Sequence, residues 1–97
     1  MPNPVTHNAA RSRFESAPQG LLATCDYRRQ GEVLVLHHTE VPPALQGRGV
    51  AAELVRVALD FARDQGLRVR PNCSYVACYM RRHPETLELL EGRGSAA

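Results

Sequence analysis

Apolar residues follow two different spacings along the chain, and a Pro- and Gly-rich turn, Val41–Ala51, separates them. Before the turn the pattern is that of strands. In Leu21–Arg29, Leu21, Ala23, Cys25 and Tyr27 fall on one face, and Leu22, Thr24, Asp26 and Arg28 on the other. In Glu32–Val41, the run Val33-Leu34-Val35-Leu36 is apolar on both faces, which predicts a central strand. Gln30-Gly31 between them reads as a hairpin turn. Ser12–Ser16, with Phe14 alone among polar neighbours, is a weaker strand, closed by Ala17-Pro18-Gln19-Gly20.

After the turn the spacing becomes helical. Ala51, Leu54, Val55, Ala58, Phe61 and Ala62 form one stripe, with Glu53, Arg56, Asp60, Arg63 and Asp64 mostly off it. Arg56 and Asp60 are spaced for an i,i+4 pair. Gly66 suits the left-handed position that ends a helix, and Leu67–Arg70 reads as a short strand closed by Pro71. Strand, helix, strand in that order is a right-handed crossover, so the two strands are expected to be parallel neighbours. Asn72 is the expected cap of a short helix, Cys73–Arg82. His83-Pro84-Glu85 breaks it before a last turn or helix, Glu85–Leu90. The fold class is α+β: antiparallel strands, then a βαβ crossover with the last strand parallel, one long helix, and one or two short C-terminal helices.

The 97 residues make one domain, expected over residues 11–91, with disordered tails at 1–10 and 92–97. A formal charge of +2 is too small to argue for nucleic-acid binding by bulk charge, and there is no stacking platform of aromatics to support a reading through Arg63, Arg68, Arg70, Arg81 and Arg82. Cys25, Cys73 and Cys78 are odd in number and fit no zinc spacing, which predicts no disulfide framework, no metal site and a reducing, cytoplasmic setting. No apolar run is long enough to span a membrane, and Met1–Ala10 has no signal-peptide core. A sheet this small leaves an edge open, so the expected state is monomer or homodimer.

The turn itself is where chemistry enters. A Gly-rich turn at the mouth of a long helix leaves backbone N–H groups without partners at the positive end of the helix dipole, which makes an anion site. Gly47 and Gly49 let a ligand approach the backbone, and Arg48 adds a cation whose fork matches phosphate. It is not a P-loop, since no Gly-Lys-Ser/Thr follows, and the third glycine of a dinucleotide fingerprint is missing.

Gln46-x-x-Gly49-x-Ala51 resembles the acyl-CoA pyrophosphate motif, Q/R-x-x-G-x-G/A, of the GNAT superfamily of N-acetyltransferases. His38-Thr39-x-Val41-Pro42 before it, and Pro71-x-Cys73-x-Tyr75-Val76, Tyr79 and His83-Pro84-Glu85 after it, extend the likeness to a compact, single-domain GNAT-like family over roughly residues 12–90. The resemblance implies acetyl-CoA as co-substrate. Its pyrophosphate would lie on Gln46, Gly47, Arg48, Gly49, Val50 and Ala51, its pantetheine arm along the strand edge near Val41, and Tyr75 would help to bind it. It also implies an amine acceptor, small molecule or protein. One departure is clear: Phe14 and Leu21 are too close for the helix pair that larger members carry between their first two strands, so the acceptor side is expected to be open.

Four residues are candidates for catalysis. Cys73 stands at the start of a short helix, where the helix N-terminus favours a thiolate. It reads either as a nucleophile, or a group orienting the acceptor, with Arg70 and His83 as aids, or as a half-buried packing residue. Cys25 and Cys78 are assigned to packing. Tyr75 and Tyr79 share a helix face, and the resemblance makes Tyr79 the proton donor to the departing CoA thiolate; a ring at the edge of the core is the alternative. His37 and His38 point to opposite faces of a strand. His38 shares a face with Glu40, and either is a candidate general base, beside the ordinary role of a hydrogen-bonded histidine. The expected function is acetyl transfer from acetyl-CoA to an amine. The competing reading is a non-catalytic acyl-CoA-binding or interaction module on the same fold.

Overall fold

The computed structural model describes residues 4–92. Five strands form one sheet in chain order: β1 (Thr6–Asn8), β2 (Arg13–Ser16), β3 (Ala23–Gln30), β4 (Val33–Glu40) and β5 (Arg68–Pro71). The first four are an antiparallel meander, and β5 is parallel to β4. Helix α1 (Val50–Asp64) makes the crossover between β4 and β5, and α2 (Ser74–Arg82) follows β5. A 3-10 segment, Pro84–Leu89, closes the fold, and Glu91 N–H donates to Val69 C=O at 2.9 Å, tying the chain back to β5.

Local chemistry sets these elements. Gly31, at φ +61, makes the two-residue turn between β3 and β4. At the end of α1, Gly66 adopts φ +70, Leu67 N–H reaches Ala62 C=O and Gly66 N–H reaches Arg63 C=O, a Schellman arrangement. Arg56 pairs with Asp60 at 3.0 Å, as its spacing requires. The buried stripe of α1 is Val50, Leu54, Val55, Ala58, Leu59 and Ala62. Leu59 replaces the expected Phe61, which is only partly buried against an aromatic cluster.

Both helices contribute to a single core on one face of the sheet, with Phe14, Cys25, Tyr27, Leu34, Leu36 and Val69 beneath Leu54, Val55, Leu59, Val76 and Met80. Val35 points the other way. It is nonetheless fully buried, with the long side chains of Arg28 and Arg70 as its ladder neighbours.

The expected disordered N-terminal tail is corrected by β1. Residues 1–3 lie outside the described residues, but Thr6–Asn8 pairs with β2. Three residues give no alternation to read; the strand is held by His7. Its ring stacks on Phe14 at 4.4 Å, meets Phe61 edge-on at 4.6 Å, and its Nε2 lies 2.6 Å from the Tyr27 hydroxyl. Of the expected C-terminal tail, residues 93–97 lie outside the described residues.

One irregularity positions the site. Along β3 and β4, Thr24, Cys25 and Asp26 pair with Glu40, Thr39 and His38, but Tyr27 pairs with Leu36. His37 has no partner of its own, so β4 carries a β-bulge there. The extra residue reverses the alternation: Leu34 and Leu36 face the core, and beyond the bulge Thr39 does so.

Candidate active site

Strands β4 and β5 pair only from Val33–Arg68 to Leu36–Pro71. There β5 stops. The N–H groups of Asn72 and Cys73 both donate to Leu36 C=O, at 3.0 and 3.1 Å, and the chain turns into α2. Strand β4 runs on through Glu40 without a neighbour on that side. The strands therefore open into a V, with α1 entering at one side and α2 at the other.

A cleft of about 540 Å³ fills this opening. Thr39 and Val41 line it from the β4 edge, Leu45, Gln46, Gly47, Gly49, Val50, Ala51 and Ala52 from the turn and first helical residues, and Tyr75 from α2. Gly47 and Gly49 sit at φ +81 and +80, in the left-handed region that glycine reaches without strain. A Cβ at either would meet nothing within 4 Å, so the backbone is bare toward the cleft. Gly49 is the N-cap, and the first α1 bond runs from Glu53 N–H to Gly49 C=O. The amides of Val50, Ala51 and Ala52 are thus left without partners inside the helix. Gln46 braces the turn from within, its Nε2 donating to Val41 C=O at 3.2 Å. Bare amides, a helix N-terminus and room for an extended chain fit the diphosphate and arm of CoA. Of the expected binding residues, Val41, Gln46, Gly47, Gly49, Val50, Ala51 and Tyr75 come together here, whereas Arg48 is exposed and outside the lining.

Cys73 is the N-cap of α2; Asn72, the expected cap, precedes it. Partial burial raises the thiol pKa, but the Thr39 hydroxyl and the amides of Val76, Tyr75 and Thr39 act against it, and the net shift is downward. Thr39 Oγ1 lies 3.5 Å from Cys73 Sγ and itself lines the cleft. Cys25 is different. It is wholly buried on β3, and burial pushes its thiol up to about 12. The expected aids of Cys73 are elsewhere: Arg70 makes a two-pronged pair with Glu91 and reaches Gln30, and His83 stacks on Tyr79 at 3.9 Å.

Cys73 adjoins the cleft through Thr39 rather than lining it, and the remaining candidates lie farther from it. His38 does share a face with Glu40, 3.2 Å away, but the bulge turns that face outward, and the His38 side chain is 52 % exposed. Tyr79 lies between α1 and α2, over two smaller depressions beside Arg56 and His83, and burial raises its pKa. Tyr75, not Tyr79, presents its ring to the main cleft. Thr39 was the residue that spacing missed, because regular alternation puts His38 where the bulge puts Thr39. Among the described residues no group of three His, Cys, Asp or Glu side chains is placed to hold a metal, and no helix is long and apolar enough to cross a membrane. Three of the five arginines weighed for nucleic acid are engaged within the chain: Arg63 with Asp60, Arg68 with Glu88 C=O, and Arg70 with Glu91.

A sheet that opens between two parallel strands, with a glycine turn and a helix N-terminus at the opening, defines an architecture of the GNAT type. The chain belongs to the GCN5-related N-acetyl-transferase family, whose sequence profile matches residues 13–90. It is similar to Protein NATD1 of Gallus gallus, 36 % identical over 86 residues, covering 86 % of this chain and 78 % of that one. It is 36 % identical over 83 residues to Protein NATD1 of Homo sapiens, covering 82 % and 74 %. In fold it matches the solution structure of a GCN5-like protein from Staphylococcus aureus, with a TM-score of 0.73 at 21 % identity, over 98 % of this chain and 95 % of that one.

Proposed function

We propose that the protein transfers an acetyl group from acetyl-CoA to an amine, using Cys73, which lies against the Thr39 wall of the cleft. The observation that carries this reading is a cleft lined by the bare turn at Gly49–Ala52 on one side and by Thr39 on the other, with the Thr39 hydroxyl 3.5 Å from the Cys73 thiol, whose pKa is lowered. The amides and the dipole of α1 hold the diphosphate. The unpaired edge of β4 near Val41 runs beside the pantetheine arm, and Tyr75 covers it. The thioester then lies near Thr39 and Cys73.

The Cys73 thiolate attacks the thioester carbonyl. A new carbon–sulfur bond forms, the bond to CoA breaks, and CoA leaves with the electron pair and takes a proton. A neutral amine then attacks the acetyl group on Cys73. The amide bond forms, the amine loses a proton, and the Cys73 thiolate is regenerated. The acceptor is a primary amine, free or on a protein, and it approaches from a side that no N-terminal helix pair walls off. The three unpaired cysteines support a reducing, cytoplasmic setting.

Thermal unfolding with and without acetyl-CoA tests the binding half. At 100 times its dissociation constant, acetyl-CoA stabilises by ~2.7 kcal/mol. Release of free CoA thiol over a panel of amines tests the transfer, and intact-protein mass spectrometry after a pulse of acetyl-CoA tests the acetyl-Cys73 intermediate. Stabilisation without turnover on any amine favours the non-catalytic acyl-CoA module. Turnover that survives Cys73→Ala favours direct attack of the amine on the CoA thioester. No stabilisation refutes both CoA readings.

A further inference from the structure

The Thr39 hydroxyl stands between two sulfurs, 3.5 Å from Cys73 Sγ and 4.0 Å from Cys25 Sγ. Three elements meet there: Thr39 arrives on β4, Cys25 is its cross-strand partner on β3, and Cys73 opens α2. Regular alternation along β4 puts His38 on this face; the unpaired His37 is what turns Thr39 inward. A strand position facing an otherwise apolar core is normally Val or Ile. Thr39 is half-buried at the edge of the cleft, and within the chain the two thiols are the partners its hydroxyl has.

We infer that Thr39 is a positioning residue for Cys73, its single hydroxyl proton shifting from the Cys25 sulfur to the Cys73 sulfur when Cys73 ionises. A hydroxyl has one hydrogen and two lone pairs, so it serves the two sulfurs in turn. While Cys73 is protonated, the hydroxyl donates toward Cys25. When Cys73 loses its proton, the ionised sulfur is the stronger acceptor and draws the hydroxyl proton to itself. Cys25 is wholly buried and keeps its own S–H, so it then donates to the Thr39 oxygen. No bond is made or broken; one O–H turns, and the thiolate gains a donor. The other groups acting on Cys73 are the α2 amides of Tyr75 and Val76 and the Thr39 amide. Those amides are fixed and serve thiol and thiolate alike in position. The hydroxyl is the one donor that reorients with the charge.

This inference rests on the reading of Cys73 as the reactive group, but its test needs no acetyl-CoA. The rate of Cys73 alkylation by iodoacetamide is followed from pH 6 to 10 in the full chain, with modified peptides resolved by mass spectrometry so that Cys25 and Cys78 are counted apart. Thr39→Val keeps the β-branched shape and removes the donor, and Thr39→Ser keeps the donor. The expected result is an apparent Cys73 pKa raised in Thr39→Val, with about tenfold slower alkylation at pH 7, and restored in Thr39→Ser. Thr39→Ala repeats the loss if Thr39→Val is poorly folded by its melting curve. An unchanged Cys73 pKa in the valine and alanine variants overturns the inference, as does a serine variant no better than valine. Lost acetyl transfer with this pKa pattern intact counts against the proposed activity alone.

Discussion

Replacing Gly49 by alanine separates what the turn does for the fold from what it does for a ligand. Gly49 sits at φ +80 and ψ 8, in the left-handed region. An L-residue there costs ~1 kcal/mol. No steric term is added, because the new Cβ meets nothing within 4 Å. For a domain of this size, ~1 kcal/mol lowers Tm by about 4–8 °C. Gly66 is the matched control. Its φ is +70, its Cβ also meets nothing within 4 Å, and it lies beyond the other end of the 15-residue α1, roughly 22 Å away. Gly66→Ala therefore loses a similar amount of stability and leaves the cleft untouched. The two variants part when acetyl-CoA is added. In Gly49→Ala the methyl group stands in the open space beside the turn where the diphosphate is placed, so affinity falls by about tenfold or more, ~1.4 kcal/mol at least. The assay is a thermal melt of wild type and both variants against an acetyl-CoA series, with dissociation constants from calorimetry. Equal affinity in the Gly49 and Gly66 variants refutes the placement of the diphosphate. A Gly66→Ala variant as stable as wild type refutes the conformational argument for both.

Four further outcomes are expected. Tyr75→Ala weakens acetyl-CoA binding several-fold, whereas Tyr79→Phe leaves affinity and turnover within about threefold of wild type, since Tyr79 lies off the cleft beside His83; a large kcat loss in Tyr79→Phe restores it as a proton donor. Leu36→Ala, at a fully buried site where β5 ends, costs about 2–5 kcal/mol by urea unfolding, and a cost under 1 kcal/mol would contradict its place in the core. Cys25, with its thiol pushed up to about 12, resists iodoacetamide at pH 8 in the folded protein while Cys73 reacts; modification at equal rates defeats the contrast. Burial holds the His7 pKa below its ordinary 6.5, so the unfolded chain takes up a proton first as pH falls. The stability tied to neutral His7 is complete above that value and declines as pH drops through it toward the lower folded pKa. Urea midpoints at pH 8 and pH 5 therefore differ more in wild type than in His7→Gln, and parallel slopes count against it.

Much of this could be read from residue order, for physical reasons that differ by element. Helix α1 was legible because fifteen residues repeat one period and end in a glycine that can turn left-handed. Strand β4 was legible because Val33-Leu34-Val35-Leu36 leaves no polar face, which only a strand with neighbours on both sides tolerates. The candidate binding turn was legible because backbone geometry, not side-chain contact, makes it, and Gly47 and Gly49 announce that geometry. Strand β1 was not, since its three residues are held by one ring packed against Phe14 and Phe61, contacts between residues far apart in sequence. The candidate catalytic wall was legible only in part. Cys73 announces itself by its place after a strand. Thr39 does not, because its facing depends on a bulge that no local signal marks.

That bulge and the early end of β5 belong to one device. If β4 ran regularly and β5 continued beside it, each amide beyond Leu36 would have a strand partner, and no edge would be left for a ligand. Instead Leu36 C=O takes both Asn72 and Cys73 amides and ends the parallel ladder, while one residue later His37 slips out of register with β3. The first event frees the edge of β4. The second decides what that edge shows to the core side, putting Thr39 against Cys73 and sending His38 and Glu40 to the outer face. A histidine in the position of Thr39 would bring a ring too large for the space between two sulfurs, and a valine would bring no donor. The residue there is the one β-branched type that carries a hydroxyl. Its placement makes sense as part of the site, since Val would pack as well at this half-buried cleft edge but would bring no donor to the Cys73 sulfur.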